Sequence, residues 1–364
     1  MNKKAILVLE DGSIFEGFSF GAETGAYGEV VFNTSMCGYQ EMLTDPSYAG
    51  QIVVPTYPLI GNYGINDQDF ESNKIQVSGF VVREECLEPN HYQSNKTIHQ
   101  YLSENGISGI YGIDTRAITR LLRSCGVMRG VISTDKTPQQ ALIDIKTMQD
   151  YGSTDFVRQV STTASYEWQT DKAVSNAAYN IVVLDCGLKF SILRKLQALN
   201  CRISVVPCDT SAEEILKLNP DGIVLSPGPG NPELLDYIVN NVKLLAEKKP
   251  IMGICLGNQL IGRAFGAKTF KLKFGHRGGN HPVKELSNGR IHITAQNHGF
   301  ALDPDTIGNG LEVSFLNLND GTVEGVRHTQ LPIFGIQYHS EASPGPMDTT
   351  YMFKQFLGMI DSNK

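Results

Sequence analysis

The apolar and polar positions follow one pattern in the first part of the chain and another in the last. From Ala5 to about Ile132, short alternating apolar runs are separated by turn residues, which predicts strands. After Asn180, continuous runs of Val, Ile and Leu alternate with amphipathic stretches, the pattern of a parallel sheet covered by helices on both faces. Between these parts, Val160 to Ala178 is polar and lacks periodicity, which favours an interdomain linker.

A chain of 364 residues is longer than one ordinary domain core, so two domains are expected. We predict a strand-rich N-terminal α/β domain over residues 1–158, a linker over 159–178, and a C-terminal α/β domain with a mostly parallel sheet over 179–364. Ligands of such a sheet bind at the carboxyl ends of its strands. The C-terminal domain is therefore expected to carry the site.

Two local signals are clear in the N-terminal part. In ILVLEDGSIFEGF, Asp11-Gly12 separates two alternating runs and predicts a hairpin. In DTRAITRLLRS the apolar residues recur at helical spacing, behind a cap at Asp114 or Thr115. One helix is therefore expected among the strands.

Charge and cysteine usage exclude several classes of protein. A net charge of -7 opposes non-specific binding to nucleic acid or anionic membranes. No apolar stretch reaches membrane-spanning length, and Glu10 and Asp11 interrupt the first apolar run before it could form a signal peptide. The seven cysteines are dispersed, odd in number and never spaced C-x-x-C, so neither a disulfide framework nor a thiolate metal site is indicated. A reducing cytoplasm fits this usage.

The segment GICLG, with Cys255 at its centre, is the sharpest chemical signal. It lies where a predicted buried strand gives way to a helix, and it matches a nucleophile elbow with Cys in place of Ser. Gly253 and Gly257 are needed because a turn this tight brings backbones together. The start of the helix favours thiolate over thiol, and the amide of Leu256 can stabilise an oxyanion. A buried structural cysteine is the alternative.

The segment IQYHSEASPGP supplies the partners that a cysteine nucleophile needs. His339 can serve as the acid and base, and Glu341 lies two residues later. In extended chain, residues i and i+2 project to the same side, so Glu341 can orient the imidazole. A structural ion pair is the alternative, and the simultaneous presence of the elbow favours the triad.

Two other segments are weaker signals. The loop SPGPG, Ser226 to Gly230, follows another predicted strand and offers backbone amides near the expected cleft, although a plain turn has the same composition. His276 and His281 are interpreted as histidines of a glycine-rich loop, since no thiolate or carboxylate is placed to complete a metal site. Gly266-Ala267-Lys268-Thr269 lacks the glycine spacing of a P-loop. We expect no metal and no ATP site here.

These motifs carry a resemblance to a known family. GICLGNQ, SPGPGNP and HSEASPGP together resemble the class I (triad) glutamine amidotransferase domain, from about Asn180 to the C-terminus. FNTSMCGYQEMLTDPSYAGQIV, YPLIGNYGIN, GIDTR, KFGHRGGNHPV and TAQNHGF resemble the small subunit of carbamoyl phosphate synthetase, whose N-terminal domain the first three segments match. The resemblance therefore covers nearly the whole chain.

The resemblance implies both a reaction and a partner. Cys255 would form a glutamyl thioester, assisted by His339 and Glu341, and ammonia would pass to a large subunit that makes carbamoyl phosphate with ATP, a divalent cation and bicarbonate, for pyrimidines and arginine. This subunit itself would need no cofactor. The glutamine site implied by the matching motifs comprises Ser47, which would reach across from the N-terminal domain, and Gly228, Gly230, Leu256, Gln259, Asn297, Gly299 and Phe300.

Three positions depart from the family pattern. Asn258 stands where relatives usually have His, Pro227 where close relatives usually have Asn, and Ser340 where Pro is usual. None of these changes removes a proposed catalytic group. Two other classes of function remain as alternatives, a free-standing cysteine hydrolase or peptidase, and a catalytically silent regulatory subunit that only binds a partner.

Overall fold

The structure, a computed structural model, describes residues 3–168 and 177–363. The chain divides into two compact units, the first formed by Met1–Thr154 with Lys273–Arg277, and the second by Asp155–Leu272 with Gly278–Lys364. No helix in the described ranges is both long and apolar enough to cross a membrane.

In the described residues of the first unit, short α-helices lie between the strands and after the last of them. Its strands are β1 (Lys4–Leu9), β2 (Ile14–Gly21), β3 (Ala26–Asn33), β4 (Gln51–Pro55), β5 (Leu59–Ile60), β6 (Gly79–Val81), β7 (Glu84–Glu85), β8 (Ser108–Tyr111) and β9 (Met128–Ser133). Its helices are α1 (Tyr39–Thr44), α2 (Ile98–Glu104), α3 (Thr115–Cys125) and α4 (Pro138–Thr147).

Seven of these strands close into a barrel in the order β1-β2-β8-β6-β4-β3-β9, with β9 pairing back to β1. The predicted hairpin is confirmed, because β1 and β2 pair antiparallel on either side of Asp11-Gly12. The predicted helix is confirmed as α3, and the carboxylate of Asp114 caps it by accepting the N–H of Ala117 at 3.0 Å. Closure of the barrel leaves no strand edge open.

The second unit alternates strands and helices, as its sequence pattern predicts. Its strands are β10 (Tyr166–Glu167), β11 (Tyr179–Asp185), β12 (Cys201–Pro207), β13 (Gly222–Leu225), β14 (Ile251–Ile254), β15 (Thr269–Glu285), β16 (Ile291–Leu302), β17 (Leu311–Asn317), β18 (Val323–His328) and β19 (Ile333–Ile336). Its helices are α5 (Val157–Val160), α6 (Phe190–Ala198), α7 (Ala212–Lys217), α8 (Asp236–Ala246), α9 (Leu256–Ala264) and α10 (Met352–Asp361).

These strands form one ten-stranded sheet in the order β10-β12-β11-β13-β14-β19-β18-β17-β15-β16. The five strands from β12 to β19 are parallel to their neighbours, and β18 and β17 continue the sheet antiparallel. The chemical motifs follow the carboxyl ends of β13, β14 and β19, which lie side by side in the parallel part. The sheet therefore brings the three motifs to one edge.

Helices cover both faces of the parallel part, and alternate residues of each strand serve opposite faces. Val182 and Leu184 of β11 belong to a buried cluster with residues of α8 and α9, whereas Ile181 and Val183 belong to a cluster with residues of α6 and α10. All four side chains are fully buried. Burial on both faces explains why these strands are continuous apolar runs.

The predicted linker falls partly on described residues. Its first residues end α5, and Tyr166–Glu167 form β10, which pairs antiparallel with β12 at the edge of the sheet. Residues 169–176 of the predicted linker lie outside the described residues. The part that is described therefore belongs to the second unit, and two short pieces of it are in a helix and a strand.

Candidate functional site

Cys255 stands in the turn between β14 and α9. Its φ of 52° lies in the left-handed region, which a residue with a side chain adopts only under constraint. The constraint is visible in the hydrogen bonds, because the N–H of Cys255 donates to the carbonyl of Ile336 on β19 at 2.7 Å. Leu256 is the first residue of α9, so its amide has no acceptor within the helix. The turn has the geometry of a nucleophile elbow.

The two glycines of the elbow are required by contact distances. A Cβ on Gly257 would lie 2.3 Å from the carbonyl oxygen of Leu225 on β13, and one on Gly253 would lie 2.5 Å from the backbone of Gly257. Backbone atoms cannot move away without shifting α9 or β13. Neither position has room for a Cβ, so both glycines of GICLG are required for steric reasons.

His339 and Glu341 follow the end of β19 and are both buried. The N–H of His339 donates to the carbonyl of Ala295 on β16 at 2.8 Å, which fixes the backbone. The Nδ1 atom of His339 lies 2.6 Å from Oε1 of Glu341. The opposite nitrogen, Nε2, is buried, and the sulfur of Cys255 interacts with this imidazole. An imidazole that is held at Nδ1 by a carboxylate is arranged to exchange a proton at Nε2.

Lys189 is a member of the site that the sequence analysis does not identify. Its Nζ atom lies 2.9 Å from Oε1 of Glu341, so one carboxylate oxygen serves both Lys189 and His339. Lys189 directly precedes α6 and follows the carboxyl end of β11, at the same sheet edge as the other motifs. That position after a buried strand is the one sequence signal that points to it.

The buried charges of the site stabilise one another in their ionised forms. Burial opposes ionisation of Glu341, but Lys189 and His339 outweigh it and hold the pKa of this carboxyl well below its usual range. Burial also opposes protonation of His339, yet Glu341 and the sulfur of Cys255 raise the pKa of the imidazole to about 10. At neutral pH the site therefore contains an imidazolium held by a carboxylate.

The sulfur of Cys255 is buried, and besides His339 it has polar neighbours on β16 and directly after β19. Sγ lies 3.7 Å from the carbonyl oxygen of Asn297 on β16 and 3.6 Å from the Nε2 atom of Gln337. Gln337 is also absent from the sequence analysis. It precedes His339 by two residues, so the same-side argument that selects Glu341 also points to Gln337.

Several residues implied as glutamine ligands contact one another or pack against the elbow. Gln259 on α9 donates through Nε2 to the carbonyl of Phe300 at 2.7 Å. A Cβ on Gly228 would lie 2.7 Å from the side chain of Leu256, so the SPGPG loop packs against the residue after the nucleophile. The loop is supported by the Ser226 hydroxyl, which accepts the N–H of Cys186 at 2.9 Å.

The other implied ligands lie on the SPGPG loop, on β16 and in the first unit. Gly230 ends the SPGPG loop with φ 89°, and Gly299 lies on β16 between Asn297 and Phe300. Ser47 belongs to the first unit, in the short 3-10 helix Pro46–Tyr48, where it is buried and its hydroxyl has no hydrogen-bond partner among the described residues. Its role as a glutamine ligand stays a prediction.

The interpretation of His276 and His281 as loop histidines is wrong. Both lie within the seventeen-residue strand β15, although the segment between them contains two glycines. Glycine and proline composition predicts a turn only where no neighbouring strand supplies pairing partners. Cross-strand hydrogen bonding is a tertiary property that composition does not reveal.

Comparison with known proteins gives matches over both units. Residues 7–132 match the family of the carbamoyl-phosphate synthase small chain, CPSase domain, and residues 182–359 match the family glutamine amidotransferase class-I. The chain is 51% identical to the carbamoyl phosphate synthase small chain of Aquifex aeolicus, covering 99% of each sequence. It is 50% identical to that of Akkermansia muciniphila, covering 99% of this chain and 98% of the relative. It is 47% identical to that of Syntrophotalea carbinolica, covering 99% of each.

Proposed function

Because the chain belongs to the carbamoyl phosphate synthase small chain family, we propose that it is the glutamine-hydrolysing subunit of that enzyme and acts through a covalent intermediate on Cys255. The observation that carries the proposal is the arrangement of Cys255 in an elbow near a buried His339 that is held at 2.6 Å by Glu341. Each of these groups has a defined task in cleaving an amide.

In the first half of the reaction the Cys255 thiolate attacks the side-chain carbonyl carbon of glutamine. The carbonyl oxygen becomes an oxyanion, which the amide of Leu256 is placed to stabilise. The imidazolium of His339 then donates its Nε2 proton to the leaving nitrogen. The carbon–nitrogen bond breaks, ammonia departs, and a glutamyl thioester remains on Cys255.

In the second half of the reaction water replaces ammonia. His339 is now neutral and takes a proton from the water as the oxygen attacks the thioester carbon. The carbon–sulfur bond breaks, glutamate leaves and the thiolate returns with the imidazolium. Glu341 keeps Nδ1 protonated throughout, so that Nε2 is the nitrogen that exchanges protons.

The glutamine ligands belong to the same proposal. Gly228, Gly230, Leu256, Gln259, Asn297, Gly299 and Phe300 are proposed to line the substrate site, and Ser47 is proposed to add a hydroxyl from the first unit. The support for this set is the match of its motifs to the family. The contacts of Gln259 with Phe300 and of Gly228 with Leu256 agree with it.

The partner proposed for this chain is the large subunit of carbamoyl phosphate synthase. The support is the naming of the relatives as small chains. We propose that ATP, its divalent cation and bicarbonate are used on that large subunit, and that this chain contributes ammonia alone. Supply of carbamoyl phosphate to pyrimidine and arginine synthesis, in the cytoplasm, follows from the same assignment.

Glutamate release from glutamine tests the proposal. We expect the chain to release glutamate, faster with its large subunit bound, and to lose this activity when the thiol is alkylated or Cys255 is replaced by Ala. A free-standing hydrolase would need no large subunit and would accept other amides. A silent regulatory subunit would release no glutamate in either state, which would refute the proposal.

A further inference from the structure

The carboxamide of Gln337 is a fully buried polar group beside the nucleophile that the proposed reaction leaves without a task. Gln337 directly follows β19, and its N–H donates to the carbonyl of Glu324 at 2.8 Å, which fixes the backbone at this point. Its side chain lies between α9 and the sulfur of Cys255. A buried amide of this kind is retained only where its hydrogen bonds are satisfied.

The surrounding amides determine which end of the carboxamide faces the sulfur. Oε1 of Gln337 accepts from Nε2 of Gln259 at 3.1 Å and from Nδ2 of Asn258 at 3.4 Å. With two donors on its oxygen, the group presents Nε2 to Sγ of Cys255 at 3.6 Å. Rotating the amide by half a turn would place an NH2 group against two other donors and an oxygen against the sulfur. The orientation is therefore fixed by Gln259, whose Nε2 also donates to the carbonyl of Phe300.

We infer that Gln337 is a positioning residue that donates a hydrogen bond to the Cys255 thiolate. Cys255 is only 1% exposed, so water cannot solvate a negative charge on its sulfur. An N–H donor aimed at the charged form stabilises it and fixes the direction in which the sulfur presents its lone pairs. This role deepens the proposed function and rests on it for catalysis, but the hydrogen bond exists without glutamine.

The same donor acts in both halves of the reaction. Negative charge leaves the sulfur when the thioester forms and returns to it when water cleaves the thioester. A hydrogen bond to the thiolate therefore raises the fraction of reactive sulfur at rest and stabilises it as a leaving group. Since Gln337 is not among the proposed glutamine ligands, its loss should lower kcat without raising KM.

The test is the pH dependence of Cys255 alkylation by iodoacetamide in the full chain, followed on the Cys255 peptide by mass spectrometry. His339, which interacts with the sulfur, remains in the variants, as do Glu341 and Lys189 behind it. In Gln337→Met the midpoint should move to higher pH, and the rate at neutral pH should fall by about three- to tenfold. Gln337→Glu keeps the accepting oxygen but places a carboxylate near the sulfur, so its shift should be larger.

Gln197→Met is the matched control. Gln197 lies on α6 in the same unit, and its Oε1 accepts from Nε1 of Trp168 at 3.2 Å, so the same substitution removes a carboxamide away from the sulfur. Its alkylation profile should match that of the unchanged chain. If Gln337→Met folds and keeps both the profile and kcat, Gln337 does not act on the sulfur.

Other outcomes are equally decisive. Loss of glutaminase with an unchanged alkylation profile would assign Gln337 to packing alone and overturn the inference. If Gln337→Met does not fold, Gln337→Glu decides, because a carboxylate that leaves the midpoint where it was would refute the contact. Failure of the proposed function looks different: the unchanged chain would be alkylated at Cys255 yet release no glutamate, and the hydrogen bond would still be measurable.

Discussion

Glu341 is the residue on which the charges of the site converge. One oxygen of its carboxylate lies 2.6 Å from Nδ1 of His339 and 2.9 Å from Nζ of Lys189, and its side chain is fully buried. Charges that are removed from water persist only when each has a partner of opposite sign. The imidazolium that donates the proton to the leaving ammonia is therefore maintained by the carboxylate behind it.

Replacing Glu341 with Gln should slow glutamine hydrolysis less than loss of the nucleophile does. The thiol and the imidazole remain, so we expect a fall in kcat/KM of about 10²- to 10⁴-fold, against about 10⁴- to 10⁶-fold for Cys255→Ala. The carboxylate raises the pKa of His339 to about 10, so its removal lowers that pKa and the imidazolium is lost at lower pH. The alkaline limb of the pH–rate profile should therefore move to lower pH. A fall in kcat/KM equal to that of Cys255→Ala would contradict this ranking.

Replacing Lys189 with Met should reduce stability more clearly than it reduces turnover. Glu341 would keep His339 but lose its second cation in a buried site, and breaking a buried ion pair costs about 3–5 kcal/mol of unfolding free energy. The matched control is Lys195→Met on the same helix. Denaturant unfolding of both variants, with kcat measured beside it, checks the prediction. An unchanged midpoint for Lys189→Met would mean that the pair contributes nothing to folding.

At the scale of elements, the elbow depends on how closely α9 approaches β13. The nine residues of α9 begin directly after Cys255, and Gly257 in its first turn rests on the backbone of β13. The helix therefore cannot shift along the sheet without moving the nucleophile. The packing of α9 against β13 therefore also sets the position of the Cys255 sulfur.

Gly257→Ala should disrupt the packing of α9 against β13, whereas Gly358→Ala should not. The added methyl at 257 would lie 2.3 Å from the carbonyl oxygen of Leu225, and α9 would have to move, with a loss of about 1–3 kcal/mol and of most glutaminase activity. Gly358 lies on α10 with nothing within 4 Å of an added Cβ, so alanine there should stabilise by about 0.5–1 kcal/mol. Thermal unfolding and glutamate release measure both. Equal behaviour of the two variants would contradict the steric argument.

At the scale of the whole molecule, the chain has two compact units, and the proposed triad lies entirely in the second. The three relatives compared above match the chain over 98% or more of their length, so each of them spans both units. In the proposed function the chemistry is further divided between two subunits. Ammonia is made on this chain and consumed on the large subunit.

Cys255→Ala in the assembled complex should separate these two activities. Glutamine-dependent synthesis should collapse, because no other group can form the thioester. Ammonia-dependent synthesis should survive, since added ammonia bypasses the thioester and, in the proposed function, ATP is used on the large subunit. The measurement is carbamoyl phosphate formed from each nitrogen source at saturating ATP and bicarbonate. A variant that stays folded and bound to its partner but loses both activities would refute the division of labour.

The sequence by itself determined the features that depend on neighbouring residues. The hairpin at Asp11-Gly12 and the capped helix α3 follow from local turn and capping chemistry, and both are observed. The elbow at Cys255 follows from the steric need for glycine on either side, and the pairing of His339 with Glu341 from the same-side projection of residues two apart. Each of these rules acts over a few residues of chain.

Only the tertiary structure decided the contacts that join distant segments. Lys189 meets Glu341, and Gln337 meets Cys255, because the carboxyl ends of parallel strands lie side by side in the sheet. His276 lies in a strand although the glycine-rich composition of its segment predicts a loop. The pairing partners that make it a strand come from elsewhere in the chain. Closure of the barrel through β1 and β9 has the same origin. Strand order and register are set by burial over the whole core, and no short stretch of sequence contains that information.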